Sequence, residues 1–108
     1  MARLIRMADY RTGTGLVHFE RDELTQLLAL YAVRVAGGEW RDYAIDVGPD
    51  RAVFSVFRHT LERAAFTITK SMAGGGECWS VSTGGRVLRR AARLIDALTA
   101  FDHHPRPV

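Results

Sequence analysis

The sequence predicts an α+β fold, a two-layer sandwich in which two helices pack on one face of an antiparallel meander of four to five strands. Two segments with apolar residues at helical spacing lie on either side of a central segment that alternates between apolar and polar residues. Turn residues interrupt the central segment at short intervals, as in hairpins, whereas parallel strands require crossovers of a dozen or more residues. Amphipathic helices and an alternating sheet bury their apolar surfaces against one another, which places both helices on the same face.

A single domain is predicted over residues 16–102, because a chain of 108 residues has the usual length of one domain. Residues 1–15 end in a Thr-Gly-Thr-Gly run without periodicity, which predicts a mobile N-terminal arm. Residues 16–19 are expected to form a short edge strand. Residues 103–108 contain two prolines, which cannot continue a helix, and they are expected to form a frayed tail.

The first helix is predicted from about residue 22 to residue 36. Its apolar residues recur at i, i+3, i+4, i+7 and i+11, which places them in one stripe. Acidic residues suit its positive N-terminal end, and the pair Gly37-Gly38 supplies the residue that ends it. The stripe consists of Leu24, Leu27, Leu28, Tyr31 and Val35.

Four strands are predicted next, at residues 43–47, 52–58, 65–70 and 78–83. Alternation assigns one set of side chains to the helix-covered face and the other to an open face. In the second strand either Val53 and Phe57 or Phe54 and Val56 face the helices, and the other pair lies on the open face. The predicted core set is Ile45, Phe66, Ile68, Trp79 and Val81, and the predicted open-face set is Asp46, Thr67, Thr69, Cys78, Ser80 and Ser82.

The second helix is predicted from about residue 87 to residue 101. Its apolar residues cluster on one broad arc at ~100° per residue, and its charged residues occupy the opposite arc. The charged arc contains Arg89, Arg90, Arg93 and Asp96.

Composition favours a soluble cytoplasmic protein. The lone cysteine, Cys78, cannot form an intramolecular disulfide, and no Cys/His spacing is typical of a zinc site. No apolar segment has the length of a signal-peptide core or a membrane span. The net charge of +3 is concentrated at the two ends of the chain. Fourteen arginines accompany a single lysine, a bias that more often reflects codon composition in a GC-rich genome than phosphate recognition.

Three segments of the chain resemble a known family. They are residues 19–24 (FERDEL), 38–46 (GEWRDYAID) and 51–58 (RAVFSVFR), of which the Glu-Trp-Arg-Asp-Tyr run is the most specific. The chain resembles a family of short stand-alone bacterial proteins, the domain of unknown function numbered 2794, over roughly residues 16 to 101. The resemblance implies a single domain and assigns no activity, cofactor or catalytic residue.

One arginine cluster is the candidate nucleic-acid site. Spacings of three and four residues would place several guanidinium groups along one face of the second helix, where they could follow a phosphate backbone. A solvated polar face opposite the apolar arc is the alternative. The cluster comprises Arg86, Arg89, Arg90 and Arg93.

A second group of residues is the candidate partner-binding set. Aromatic residues and arginine are enriched in binding hot spots, which draws attention to the segment 40–43. Trp40 could instead close the helix–sheet junction. Apolar residues at the flank of the first helix or on the open face add to the set. Its members are Trp40, Arg41, Tyr43, Leu30, Val33 and Phe57.

The sequence leaves the function open and favours a small non-enzymatic interaction module that forms a homodimer without cofactor or metal. No pair of carboxylates, nucleophile–base pair or phosphate loop has a spacing that indicates catalysis. A nucleic-acid-associated accessory protein is the alternative, and an enzyme with an unrecognised site is the third possibility. A dimer is expected because a two-layer domain leaves one sheet face uncovered, and twofold dimers are the commonest assembly.

Overall fold

The structure, a computed structural model, describes residues 16–59, 63–72 and 76–102, so the predicted arm 1–15 and tail 103–108 lie outside the described residues. Within these residues one helix comes first, five strands follow, and two short helical segments come last. The elements are α1 (Arg21–Ala36), β1 (Asp42–Val47), β2 (Arg51–Phe57), β3 (Phe66–Ser71), β4 (Cys78–Thr83), β5 (Arg86–Ala91), α2 (Leu94–Ala97) and a 3-10 helix (Leu98–Phe101).

The predicted first helix is confirmed as α1. At its start the backbone N–H of Glu20 donates a hydrogen bond to Oε1 of Glu23, 2.7 Å away, one half of a capping box. At its end the N–H of Gly38 donates to the carbonyl of Val35, and Gly38 adopts a φ of 77° that other residues rarely tolerate. The predicted glycine stop is therefore confirmed, and the structure adds a capping box at the start of the helix.

The five strands form one sheet in the order β1-β2-β3-β4-β5, and every neighbouring pair is antiparallel. The predicted meander is therefore confirmed. The expected edge strand at residues 16–19 is reduced to one isolated bridge, in which Val17 donates to the carbonyl of Gly48 at 2.8 Å.

The predicted helix at residues 87–101 is wrong over its first half, because Arg86–Ala91 form the fifth strand. Gly84 and Gly85 have φ values of 55° and 79° and join β4 to β5, as in the two-residue hairpins that glycine pairs favour. That turn returns the chain alongside β4 before a helix can start. Only residues 94–101 keep the helical conformation, as α2 and the 3-10 helix.

A β-bulge interrupts the pairing of β4 and β5 between Val81 and Ser82. On the turn side of the bulge Ser82 lies opposite Val87, and on the other side Val81 lies opposite Arg89. Leu88 is the extra residue, and it packs against the core.

Both helical segments lie on one face of the sheet, as predicted. The ring of Tyr31 in α1 lies 5.0 Å from that of Tyr43 in β1, and the ring of Phe101 in the 3-10 helix lies 5.1 Å from that of Phe66 in β3. Of the predicted core residues, Ile45 is half-buried and the other four are buried. In β2 the pair that faces the helices is Phe54 and Val56, so Val53 and Phe57 lie on the open face.

Lys70, the only lysine of the chain, points into the helix-covered face and is 5% exposed. Its Nζ lies 2.8 Å from Oε1 of Glu23 and donates to the carbonyl of His18 at 3.0 Å. It also lies 5.7 Å from the centre of the Trp79 ring. One ammonium group therefore joins β3, the start of α1 and the segment that precedes α1.

Arg34 makes the corresponding connection at the other end of α1. Its Nη1 lies 2.7 Å from Oε1 of Glu39, and its Nη2 donates to the carbonyl of Phe101 at 3.3 Å. The guanidinium lies 5.8 Å from the centre of the Trp40 ring and 5.7 Å from that of Phe101. These contacts hold the 3-10 helix against α1.

We predict that Lys70→Met destabilises the protein by about 3 kcal/mol, because removing one partner of a buried ion pair leaves an uncompensated charge. The carboxylate of Glu23 would keep only its hydrogen bond from Glu20. Urea denaturation measures the effect. Arg21→Met removes an exposed cation from the same end of α1 and should change stability by less than about 0.5 kcal/mol. Equal midpoints for the two variants would contradict the prediction.

We predict that Trp79→Ala costs about 3–5 kcal/mol, because it leaves a large cavity under the helices. The Trp79 side chain is fully buried and stacks on Phe19 at a centroid distance of 5.9 Å. Val33→Ala is the control, since Val33 is 55% exposed on α1. An unchanged denaturation midpoint for Trp79→Ala would show that the core is arranged differently.

Candidate interaction surface

The sheet face that the helices leave uncovered is called the open face. Residues directly opposite one another on neighbouring strands form rows across it. The first row is Ala44, Ser55, Thr67, Ser82 and Val87, and the second is Asp46, Val53, Thr69, Ser80 and Arg90, each read from β1 to β5.

Hydroxyl side chains dominate the centre of the open face. In the first row Ser55, Thr67 and Ser82 are direct neighbours on three adjacent strands, and in the second Thr69 lies beside Ser80. Each hydroxyl both donates and accepts a hydrogen bond. The centre can therefore form hydrogen bonds with many kinds of polar surface, including the same face of a second copy.

The apolar residues of the open face do not form one continuous patch. Val53 and Phe57 are half-buried and occupy the same strand, but Ser55 lies between them. Val87, at the opposite edge, is 41% exposed and lies beside Ser82. Hydroxyl groups thus divide the apolar residues of this face.

Charged residues surround the hydroxyl-rich centre of the open face. Asp46 on β1 and Arg90 on β5 are exposed and occupy opposite ends of the same row. Four strand spacings separate them, or roughly 19 Å, so they cannot pair within one molecule. Arg51 and Arg63 line a shallow groove of about 460 Å3 on this face together with its central hydroxyl groups.

The four arginines of the candidate nucleic-acid site do not share a helical face, because they belong to β5 and the turn after it. Arg90 lies on the open face beside Ser80, whereas Arg89 lies on the helix side and its Nε donates to the carbonyl of Asp96 at 2.9 Å. Arg86 lies beside the hairpin, and Arg93 immediately precedes α2. All four side chains are exposed along one edge of the domain.

The candidate partner-binding residues are divided among several environments. Trp40 is 2% exposed, and its ring packs between α1 and the 3-10 helix. Tyr43 is half-buried and stacks on Phe54 at 5.4 Å. Leu30 packs against the core. The exposed members are Val33 and Arg41, and the half-buried Phe57 lies on the open face.

An aromatic cluster fills the space between α1 and the start of β1. The ring of Trp40 lies 6.3 Å from that of Tyr31 and 5.6 Å from that of Phe101. Burial raises the pKa of the Tyr31 phenol, and the nearby Asp42 carboxylate and Tyr43 raise it further. Tyr31 therefore keeps its proton at neutral pH and acts as a packing group.

A second cleft, of about 690 Å3, lies beside the C-terminal end of α1. Arg41, Arg58 and His59 line it together with Trp40. The N–H of Arg41 donates to the carbonyl of Phe57 at 2.7 Å, which continues the pairing of β1 and β2 beyond their ends. The cleft is open and basic along this side.

Chemistry-bearing side chains are scattered over the described residues. Within residues 16–59, 63–72 and 76–102 no group of three His, Cys, Asp or Glu side chains is arranged to hold a metal ion. Cys78 is half-buried at the start of β4. In the same part of the chain, no helix has the length and apolar character needed to cross a bilayer.

Comparison with protein families agrees with the resemblance found in residues 19–24, 38–46 and 51–58. A family model described as Protein of unknown function (DUF2794) matches residues 17–98, which include α1, the whole sheet and α2. Comparisons with curated proteins and with solved structures gave no match. Because the match covers most of its length, the chain belongs to the DUF2794 family.

Proposed function

We propose that this protein is a small non-enzymatic interaction module that self-associates as a twofold dimer through its open face. The observation that supports the proposal most directly is that α1 and the C-terminal helices cover only one face of the five-stranded sheet. The centre of the other face is built from short side chains, so a second surface can approach it closely.

The hydroxyl-rich centre favours a second copy as the occupant. In a twofold dimer the same patch meets itself, so it must be self-complementary. Thr67 and Thr69 on the central strand can each donate to and accept from the same residue of another copy. A face of carboxylates or of guanidinium groups would repel its own copy.

The edges of the sheet are less suited to self-pairing than the face. Two copies of β5 paired edge to edge would bring Arg86, Arg89 and Arg90 of one copy close to those of the other, and two copies of β1 would do the same with Asp42 and Asp46. Like charges on paired strands are destabilising, and charged edges are a common protection against edge pairing.

The size of the open face sets the expected strength of the dimer. Five strands ~4.8 Å apart and about six residues long at ~3.4 Å per residue give roughly 480 Å2 per copy. The total of roughly 1,000 Å2 lies at the lower limit for specific interfaces. The dimer should therefore be reversible and dependent on concentration.

We predict that Thr69→Arg abolishes self-association, because it places two guanidinium groups against each other at the centre of the interface. Thr25→Arg is the matched control, since Thr25 is exposed on α1 away from the open face. Light scattering over a concentration series should show the wild type and Thr25→Arg rising from 12.0 kDa towards twice that mass. A wild-type mass that stays at 12.0 kDa up to high concentration would refute the dimer.

A second candidate function is association with nucleic acid. The observation that favours it is the exposure of four arginines, Arg86, Arg89, Arg90 and Arg93, along the β5 edge. Phosphate contacts release counterions, so the affinity for DNA or RNA would fall steeply as salt rises.

This candidate predicts binding of generic duplex DNA or RNA at low salt, measured by fluorescence anisotropy. Replacing Arg86 and Arg93 by alanine should reduce the slope of log affinity against log salt by about 2, close to one unit for each arginine–phosphate pair that is removed. Arg21→Ala, on the exposed start of α1, is the control. Failure to bind either nucleic acid at low salt would remove the candidate.

A further inference from the structure

We infer that two copies dock with their twofold axis parallel to β3 and over Thr69, so that Asp46 of each copy pairs with Arg90 of the other. The inference rests on the proposed self-association and adds the orientation of the two sheets and the charges that select it.

The orientation follows from the rows of the open face. Consider a twofold axis that runs parallel to the strands, midway between the two open faces. It places β1 of one copy over β5 of the other. Each row then lies over the same row of the second copy. Thr69 then meets Thr69 of the second copy, and Val53 meets Ser80. Asp46, at the β1 end of the row, meets Arg90, at the β5 end.

The neighbouring row is compatible with the same axis. Thr67 meets its own counterpart, and Ser82 lies over Ser55, which is 9% exposed in the single chain. At the edge the exposed Val87 lies over Ala44, a small apolar residue that is 6% exposed in the single chain. Neither row brings two like charges together.

The other orientation of the axis is disfavoured by charge. A twofold axis that lies in the interface but runs across the strands keeps β1 over β1 and β5 over β5. Asp46 would then lie on the same edge as its own counterpart, and Arg90 on the same edge as another Arg90. Like-charge juxtaposition across an interface is strongly unfavourable, so the strand-parallel axis is selected.

The distance between packed sheets suits the proposed pair. Sheets that pack face to face lie ~10 Å apart, with strands aligned to within about 30°. A long arginine and a short aspartate together can span this gap. Both side chains are exposed in the single chain, so neither has to break a buried contact in order to pair. The symmetry produces the pair twice in each dimer.

Charge reversal tests the pairing. Asp46→Arg and Arg90→Asp should each weaken self-association about tenfold or more, because each puts two like-charge contacts into the homodimer. An equimolar mixture of the two variants should dimerise about as well as the wild type. In the mixed dimer the two introduced charges have opposite signs and face each other, and the two remaining native charges do the same. Sedimentation velocity measures all three samples.

The controls separate specific pairing from general attraction between an acidic and a basic variant. Asp50→Arg and Arg86→Asp change the net charge by the same amounts at exposed positions outside the open-face rows. Each variant alone should dimerise like the wild type, and mixing the two should not strengthen dimerisation. Circular dichroism confirms that every variant is folded.

The outcomes distinguish the orientation from the proposed function. Dimers that resist both charge reversals but dissociate in Thr69→Arg would overturn the Asp46–Arg90 pairing and leave self-association through the open face intact. Single variants that are weakened but not rescued on mixing would also overturn the pairing. A wild type that remains monomeric would overturn both.

Discussion

The position of α1 on the sheet depends on the contacts of the Lys70 ammonium group. This group is the only cation of β3 and lies among apolar side chains, where an unpaired charge would be costly. Glu23 satisfies it with charge and the carbonyl of His18 with a further acceptor. Glu23 also accepts a hydrogen bond from the backbone N–H of Glu20. The same carboxylate therefore caps the start of α1 and neutralises the Lys70 ammonium group.

Packing at the opposite end of α1 is aromatic as well as ionic, because Arg34 pairs with Glu39 there. Arg34 lies against the rings of Trp40 and Phe101, and Phe101 touches Phe66 on the sheet. The short C-terminal helices therefore depend on α1 and β3 for their position. With both ends of α1 held in this way, the described helices all lie on one face of the sheet and leave the open face to other contacts.

Sequence patterns identify most of this architecture because they report local periodicity. Alternation places Trp79 and Ile68 in the core, and the same alternation extends to Lys70, whose charge conceals its inward orientation. The segment 87–91 is predicted as the wrong element because its apolar residues fit both a helical and an extended period. Its partner strand decides between the two, and that is a tertiary effect. The placement of Asp46 and Arg90 at opposite ends of one row depends on strand register, for which the sequence contains no local signal.

The bulge in β5 has a consequence for how the length of this segment can vary. If Leu88 paired in regular register, Arg89 would lie beside Ser80 and Arg90 beside the buried Trp79. The additional residue instead places the small Ala91 next to Trp79 and directs Arg90 to solvent. Loss or gain of a single codon between the glycine hairpin and Arg89 would therefore exchange the inside and outside of the strand. β5 can therefore accept substitutions more readily than an insertion or deletion of one residue.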